Sequence, residues 1–167
     1  MGFEIRADGL TEISEALEKL AENAPKAAAQ ALYEGAGLMA NEVSKSAETI
    51  KTAPFKWASS RKGETRMPSP EEKEIVMQAA AGIAKFDKNG TEINTSVGFR
   101  NAGYAQLKGK TVPIPMIVNA INSGTSFMKK QPFFRKAATK AAPKAVKAMT
   151  EKINSVLAEY LDAMSKI

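Results

Sequence analysis

An α+β fold is predicted by three observations on this chain. Apolar residues recur at three- and four-residue spacing near both ends, an Asn-Gly pair in the middle separates two runs of strand-forming residues, and no run of eighteen apolar residues is present. The expected architecture is one domain over residues 1–167: a small antiparallel β-sheet, built on a hairpin near 83–99 and packed by long α-helices, with a long C-terminal helix over about 133–165. At 44% apolar and 25% charged residues, the chain can bury an ordinary core.

The elements follow in order. Asp8 or Thr11 caps a first helix on which Leu10, Ile13, Leu17 and Leu20 share one face while Glu15, Glu18 and Glu22 line another. Asn23-Ala24-Pro25 is expected to end it, with Pro25 starting a second helix through Leu32, Ala36, Met39, Val43, Ala47 and Ile50. Small residues on that second helix, from Ala27 to Ala40, let another backbone come close. Lys51 to Pro68 has no periodicity and carries five basic residues against Glu64 alone, with Phe55 and Trp57 among Pro, Ser and Gly. It reads as a long flexible surface loop, ordered only on assembly. Ser69-Pro70-Glu71-Glu72 is a capping box with Pro at the first helical position, opening a helix to about Ala81.

Ile83 to Asp87 and Thr91 to Phe99 flank Lys88-Asn89-Gly90, a tight-hairpin signal, with Ile93, Val97 and Phe99 alternating onto one face. A lone hairpin is marginal, so that face needs a cover. Asn101 to Pro115 reads as loop, and Met116 to Asn122 as a short helix stopped by Gly124. Beyond Pro132 the apolar positions Ala138, Ala142, Ala145, Met149, Ile153, Val156, Tyr160, Met164 and Ile167 keep a helical rhythm, with a kink expected at Pro143.

Charge is distributed unevenly. Residues 1–126 hold fifteen Lys or Arg and fifteen Asp or Glu, whereas residues 127–167 hold nine and three, so the whole excess of +6 lies in the last quarter. Lys136, Lys140, Lys144 and Lys147 fall on one helix face, which reads either as a solvated face or as a face toward DNA or an acidic partner. The acidic first helix and the basic last helix are opposite in sign, which permits a head-to-tail contact between subunits that closes into a ring.

Several chemistries lose their usual residues. The chain has no Cys and no His, removing thiolate ligands, the commonest metal ligand and the commonest general base. Gly109-Lys110-Thr111 resembles the end of a phosphate loop, but Tyr104 stands where the pattern needs Gly, and Val-Pro-Ile-Pro follows where it needs a helix. Glu71, Glu72 and Glu74 occupy the start of a helix, where acids are favoured without any catalytic duty. No cofactor, metal site or enzymatic activity is therefore expected. Met1-Gly2-Phe3-Glu4-Ile5-Arg6 fits neither a signal sequence nor a myristoylation pattern, so synthesis in the cytosol without membrane attachment is expected.

The order of features resembles a family of tailed bacteriophages, the HK97 gp10-like neck or tail-completion (head-tail joining) proteins. The resemblance rests on Ala7-Asp8-Gly9-Leu10 before a helix, the alanine-rich stretch with Gly35-Ala36, a hairpin ending in Val97-Gly98, then Gly124-Thr125 and Pro132-Phe133-Phe134-Arg135-Lys136-Ala137 before the terminal helix. Asn122 and Ser123 stand where the family has Glu and an aromatic residue, Phe134 where it has Leu, and Lys136 where it has Pro. The family's Pro-x-x-Thr-Gly-x-Leu after the second helix is absent.

The resemblance implies a structural virion protein at the head-tail junction, assembled in the bacterial host cytoplasm. It implies a homo-oligomeric ring, expected to be a hexamer, that touches a tail terminator, tail tube or head-tail connector. The interaction residues expected on these grounds are Trp57, Gly124, Thr125, Pro132, Phe133, Phe134, Arg135, Lys136, Lys140, Lys144 and Lys147. The alternative is a non-specific nucleic-acid-binding protein using the basic C-terminal helix, and the ring reading itself allows non-specific contact with DNA in the lumen.

Overall fold

The computed structural model describes residues 8–58, 62–79, 81–89, 92–99 and 102–164. Helix α1 (Asp8–Ser46) passes through a short 3-10 turn (Ala47–Thr49) into an irregular segment, and helix α2 is Pro70–Gln78. Strands β1 (Gly82–Ile83), β2 (Asp87–Asn89), β3 (Glu92–Asn94), β4 (Val97–Gly98), β5 (Tyr104–Leu107) and β6 (Lys110–Pro113) follow, then helices α3 (Ile114–Ser123) and α4 (Phe133–Met164). The α+β class holds, with helices dominating and the strands confined to antiparallel pairs.

One expected break does not occur. Pro25 lies inside α1, not between two helices, whereas α4 runs continuously through Pro143, as expected of a helix over about 133–165. A proline removes one backbone donor, whereas alanines at 21, 24 and 27–29 favour helix on both sides of Pro25. The neighbouring helix decides the matter. α1 and α4 pack against each other antiparallel: Glu42 pairs with Lys140, and Gly35 sits over Met149. Residue 25 then stands opposite residues 157–159, so continuing α1 keeps it on α4.

The seam between these helices is made of small residues. Ala31, Gly35, Ala36 and Ala40 of α1 are buried, as are Ala137, Ala141 and Ala145 of α4. The buried register of α4 runs Phe133, Ala137, Ala141, Ala145, one position before the expected stripe at Ala138 and Ala142, which are only half-buried. Beyond Met149 no α4 side chain is fully buried among the described residues; Ile153 is exposed, Val156 and Tyr160 half-buried.

The core lies at the opposite end of this pair. Val43, Ala47 and Ile50 meet Val76, Phe99, four residues of α3 (Ile114, Ile117, Val118, Ile121), Met128, Phe133 and Ala137. α3 carries this load because its apolar residues at 114, 117, 118 and 121 form one stripe, and Gly124 ends it with φ +76°, a conformation that suits glycine.

The expected hairpin is present, and part of the expected Lys88-Asn89-Gly90 turn lies outside the described residues. β2 pairs with β3 from Asp87↔Asn94 to Asn89↔Glu92, and β1 pairs with β4 through Ile83↔Val97. Between them three residues face two, a bulge that separates the ladders. There the Ser96 carbonyl accepts from the Ala84 N–H at 2.8 Å and the Thr95 hydroxyl donates to the Ala84 carbonyl at 2.8 Å. α1 covers the hairpin: Tyr33 meets Phe86 edge-on at 6.2 Å, and Ala81 N–H donates to Ser44 Oγ at 3.1 Å.

The loop expected at Asn101 to Pro115 is largely a second hairpin. β5 and β6 pair from Tyr104↔Pro113 to Leu107↔Lys110 around Lys108-Gly109, both with positive φ, at 52° and 75°. Two central residues with positive φ match the twist of a tight hairpin, and Lys108 obscured the turn because a lysine seldom adopts that conformation.

The seam makes opposite demands on two nearby glycines. A side chain at Gly35 meets Met149 Cγ at 2.7 Å and the Ala145 carbonyl oxygen at 3.3 Å, whereas one at Gly37 meets nothing within 4 Å. Gly35→Val is expected to destabilise the protein by about 1–3 kcal/mol by forcing the helices apart. Gly37→Ala is expected to stabilise it by about 0.5–1 kcal/mol through helix propensity alone. Urea titrations of both variants measure the difference.

Candidate functional site

The motif that carries the resemblance is the joint between α3 and α4. After Gly124, the Thr125 N–H donates to the Met128 carbonyl at 3.0 Å, and Thr125 Oγ1 accepts from Met128 N–H at 3.0 Å. Gln131 N–H returns to the Ile121 carbonyl at 2.8 Å, and Asn122 Oδ1 accepts from Phe134 N–H at 3.2 Å, satisfying one of the free donors at the start of α4. Gly124 and Thr125 thus shape the turn. A Cβ at Gly124 meets the Lys130 backbone nitrogen at 3.1 Å, so the close approach as well as φ holds glycine there.

Phe133 goes to the core, 2% exposed, and Phe134 packs half-buried at its edge. Arg135 and Lys136 face solvent. Of the aromatic pair, then, Phe133 is an internal anchor, worth about 2–3 kcal/mol of burial.

The same joint meets the start of the irregular segment. Lys51 N–H donates to Gln131 Oε1 at 2.8 Å and Gln131 Nε2 donates to the Lys51 carbonyl at 2.7 Å, so one side-chain amide imitates a strand partner across 80 residues. A cavity of about 270 Å³ opens beside it, lined by Thr49, Ile50, Lys51, Met67, Lys129, Lys130, Gln131, Pro132, Phe133 and Lys136. Its floor is apolar and its rim bears four exposed lysines with no carboxylate. Among the described residues none of these four amines has an ion-pair partner. The fold brings Pro132, Phe133 and Lys136 together here from the expected set. Lys51, Lys129 and Lys130 were not singled out from the sequence; Lys129-Lys130 beside Gln131-Pro132 was a local signal, whereas Lys51 joins only through the fold.

Further along α4 the lysine stripe is partly neutralised. Lys140 pairs with Glu42 of α1, and Lys147 lies 3.7 Å from Glu151. The hydrogen bond from Lys140 holds the Glu42 carboxyl below its usual value; burial opposes it, and the charges of Lys140, Lys144 and Lys45 add to the lowering. Lys144 and Lys136 remain exposed. Next to this stripe Val146, Ile153, Leu157 and Leu161 form a line of exposed apolar side chains, Leu161 being 65% exposed.

Trp57 stands apart from both surfaces. It is 86% exposed and meets the Phe55 ring edge-on at 5.1 Å. Phe55 is held from the other side by the Arg66 guanidinium at 4.8 Å and the Lys108 amine at 5.2 Å from its centroid. Arg66 in turn grips Glu72 with two nitrogens, at 2.6 and 2.5 Å, and its backbone bridges to the strand-like residues at 127–129 through Phe127 and Lys129 at 2.8 Å each. Ala53 N–H to the Pro68 carbonyl at 3.0 Å ties the base of the segment. The segment is irregular, as its composition predicts, but anchored at both ends; residues 59–61 lie outside the described residues.

Glu72 completes the expected capping box, accepting from Ser69 N–H at 2.7 Å while Ser69 Oγ accepts from Glu72 N–H at 3.2 Å. Burial opposes its ionisation, but hydrogen bonds from Arg66 and the Ser69 backbone, with the Arg66 charge, outweigh it and hold the carboxyl below its ordinary value. One residue therefore caps α2 and clamps the aromatic segment. The α2 helix ends at Gln78, short of Ala81.

A second cavity, about 390 Å³, lies between the first hairpin and α3; among the described residues no titratable side chain lines it. Among the described residues no cluster of three acids is close enough to hold a metal ion, and no helix is long and apolar enough to cross a membrane. Comparison with protein-family models, curated proteins and solved structures finds no match to this chain.

The Arg66–Glu72 clamp makes an acid-side prediction. Because the folded carboxyl titrates below the unfolded one, its contribution is complete above about pH 4.3, where free glutamate titrates, and is lost as pH falls through the depressed folded value. Glu72→Gln is expected to cost about 2–4 kcal/mol at neutral pH, by leaving Arg66 without its counter-charge, and to flatten the stability curve below pH 5. Urea unfolding at stepped pH reads both effects.

Proposed function

We propose that the protein is a structural ring subunit of a tailed phage or prophage-derived tail, acting at the head-tail junction as a neck or tail-completion component. The observation that carries the reading is the α1–α4 pair. Its 32-residue α4 would be about 48 Å long at 1.5 Å per residue, and only its first half is covered by the core and the alanine seam. Val146, Ile153, Leu157 and Leu161 are left as an apolar line that a subunit in an assembly covers with a neighbour.

In this role the protein works by shape. Asn122, Gly124, Thr125 and Phe133 set the direction in which α4 leaves the core, and so the angle at which its outer surface meets a neighbouring subunit, a tail terminator, a tail tube or a connector. Trp57, on an anchored but irregular segment, offers an exposed aromatic contact to the same machinery. The phage assignment itself rests on the resemblance of the sequence around Pro132 to Ala137, and no catalytic step is part of it.

Ion pairing weighs against the nucleic-acid alternative. Lys140 and Lys147 already face Glu42 and Glu151, which lowers the charge that α4 offers to a phosphate backbone. A salt titration of DNA binding by the isolated protein is expected to show only weak association; submicromolar affinity with a steep salt slope transfers the assignment to nucleic-acid binding.

Electron microscopy of the purified protein, alone and with the products of neighbouring genes, is expected to show rings or capped tails. Solitary copies inside intact particles, or turnover of a small molecule, defeat the proposal. Trp57, the sole tryptophan, supplies a solution readout. It is expected to be open to acrylamide quenching in the free subunit and shielded in the assembly, while Trp57→Ala changes stability by no more than about 0.5 kcal/mol.

A further inference from the structure

The two ends of the α1–α4 pair differ in charge, and they are complementary. At one end lies the cavity of about 270 Å³ rimmed by Lys51, Lys129, Lys130 and Lys136, with an apolar floor and, among the described residues, no carboxylate. At the other end α1 outruns its partner. Met164, the last described residue of α4, is 24 residues beyond Lys140, and 24 residues back from Glu42 is Glu18. The turns of α1 from Asp8 to about Glu18 therefore have no described α4 residue opposite them.

That overhang is acidic and amphipathic in sequence. Asp8, Glu12, Glu15 and Glu18 recur at spacings of four, three and three, no basic residue falls between them, and Leu10, Ile13 and Leu17 mark a separate stripe. The four cavity lysines cannot reach these carboxylates within one molecule: Glu18 and the end of α1 at Ser46 are about 42 Å apart along the helix.

We propose that the acidic overhang of one copy docks on the lysine-rimmed cavity of the next, forming a heterologous, head-to-tail contact. This deepens the ring reading and rests on it. Contacts of this type close into a ring or run on as a filament, because a growing row of copies keeps one free overhang and one free cavity at its ends until the circle is complete. The apolar floor favours a carboxylate-bearing helix with an apolar stripe over a nucleic-acid phosphate, which gains nothing from Ile50, Met67 and Phe133. Exposed charge pairs of this kind weaken as salt screens them.

The test is a charge swap on the full chain, read by sedimentation velocity and native mass spectrometry at low and high salt. One variant carries Lys51→Glu, Lys129→Glu, Lys130→Glu and Lys136→Glu; the other carries Glu12→Lys, Glu15→Lys and Glu18→Lys. Each alone is expected to associate about tenfold or more weakly than the unmodified chain, and an equimolar mixture is expected to regain association, since the basic overhang of one then meets the acidic cavity of the other. Thermal melts of each variant and the recovery on mixing separate lost docking from lost folding. Association of either variant equal to that of the unmodified chain overturns the proposed contact, and if rings persist in micrographs the ring reading survives it. An unmodified chain that stays monomeric at every concentration also overturns it, and the ring reading is then judged by the micrographs with neighbouring gene products. Loss of DNA binding in the lysine variant with unchanged self-association assigns the cavity to nucleic acid instead.

Discussion

The close approach of α1 and α4 is the constraint on which the other features depend. Gly35 admits Met149 and the Ala145 carbonyl to distances that any larger side chain forbids, and the alanines around it keep the two backbones near each other for several turns. That contact sets the register, and the register does the rest. It puts Lys140 beside Glu42, carries α1 through Pro25, and leaves the acidic turns of α1 beyond the last described turn of α4. A helix pair joined through larger residues has room to slide; one joined through small residues has few alternatives, because dispersion contact is lost steeply with distance.

At the other end the polypeptide is tied by polar contacts over long sequence separations. Gln131 reaches Lys51, the Arg66 backbone reaches residues 127 and 129, and the Arg66 side chain reaches Glu72. Each tie holds a part of the irregular segment against the joint between α3 and α4. The lysine-rimmed cavity exists because these ties bring residues near 50, 67 and 130 together around Phe133. The cavity and the clamp are thus products of one arrangement, and a change in either end of the segment is transmitted to the rim.

Local signals in the sequence were read well where a side chain acts on its own backbone. The capping box at Ser69 to Glu72, the stop at Gly124 and the hairpin near 83–99 all depend on neighbours within a few residues, and all are present. Readings failed where a partner far along the chain decides. Pro25 suggested a break because the helix that keeps α1 continuous lies more than a hundred residues away. The β5–β6 hairpin was missed because Lys108 takes a positive φ that sequence alone disfavours. The buried face of α4 was misplaced by one residue because alanines at 137, 138, 141 and 142 read alike until α1 selects one pair. Among the expected interaction residues Phe133 proved an internal anchor and Trp57 is exposed, as a surface loop implies, while the lysine cavity drew on Lys51, which no pattern near Pro132 reveals.

The alanine seam has a consequence for how the molecule loosens. Its inner end is sealed by a core of Ile, Val and Phe side chains, while its outer end has exposed leucines at 157 and 161 and a helix overhang without a described cover. Opening therefore costs little at the tip and progressively more toward the base, so the pair parts like a zip fastener from its acidic end. A helix pair built this way stays closed longest where Gly35 and the alanines meet the apolar core.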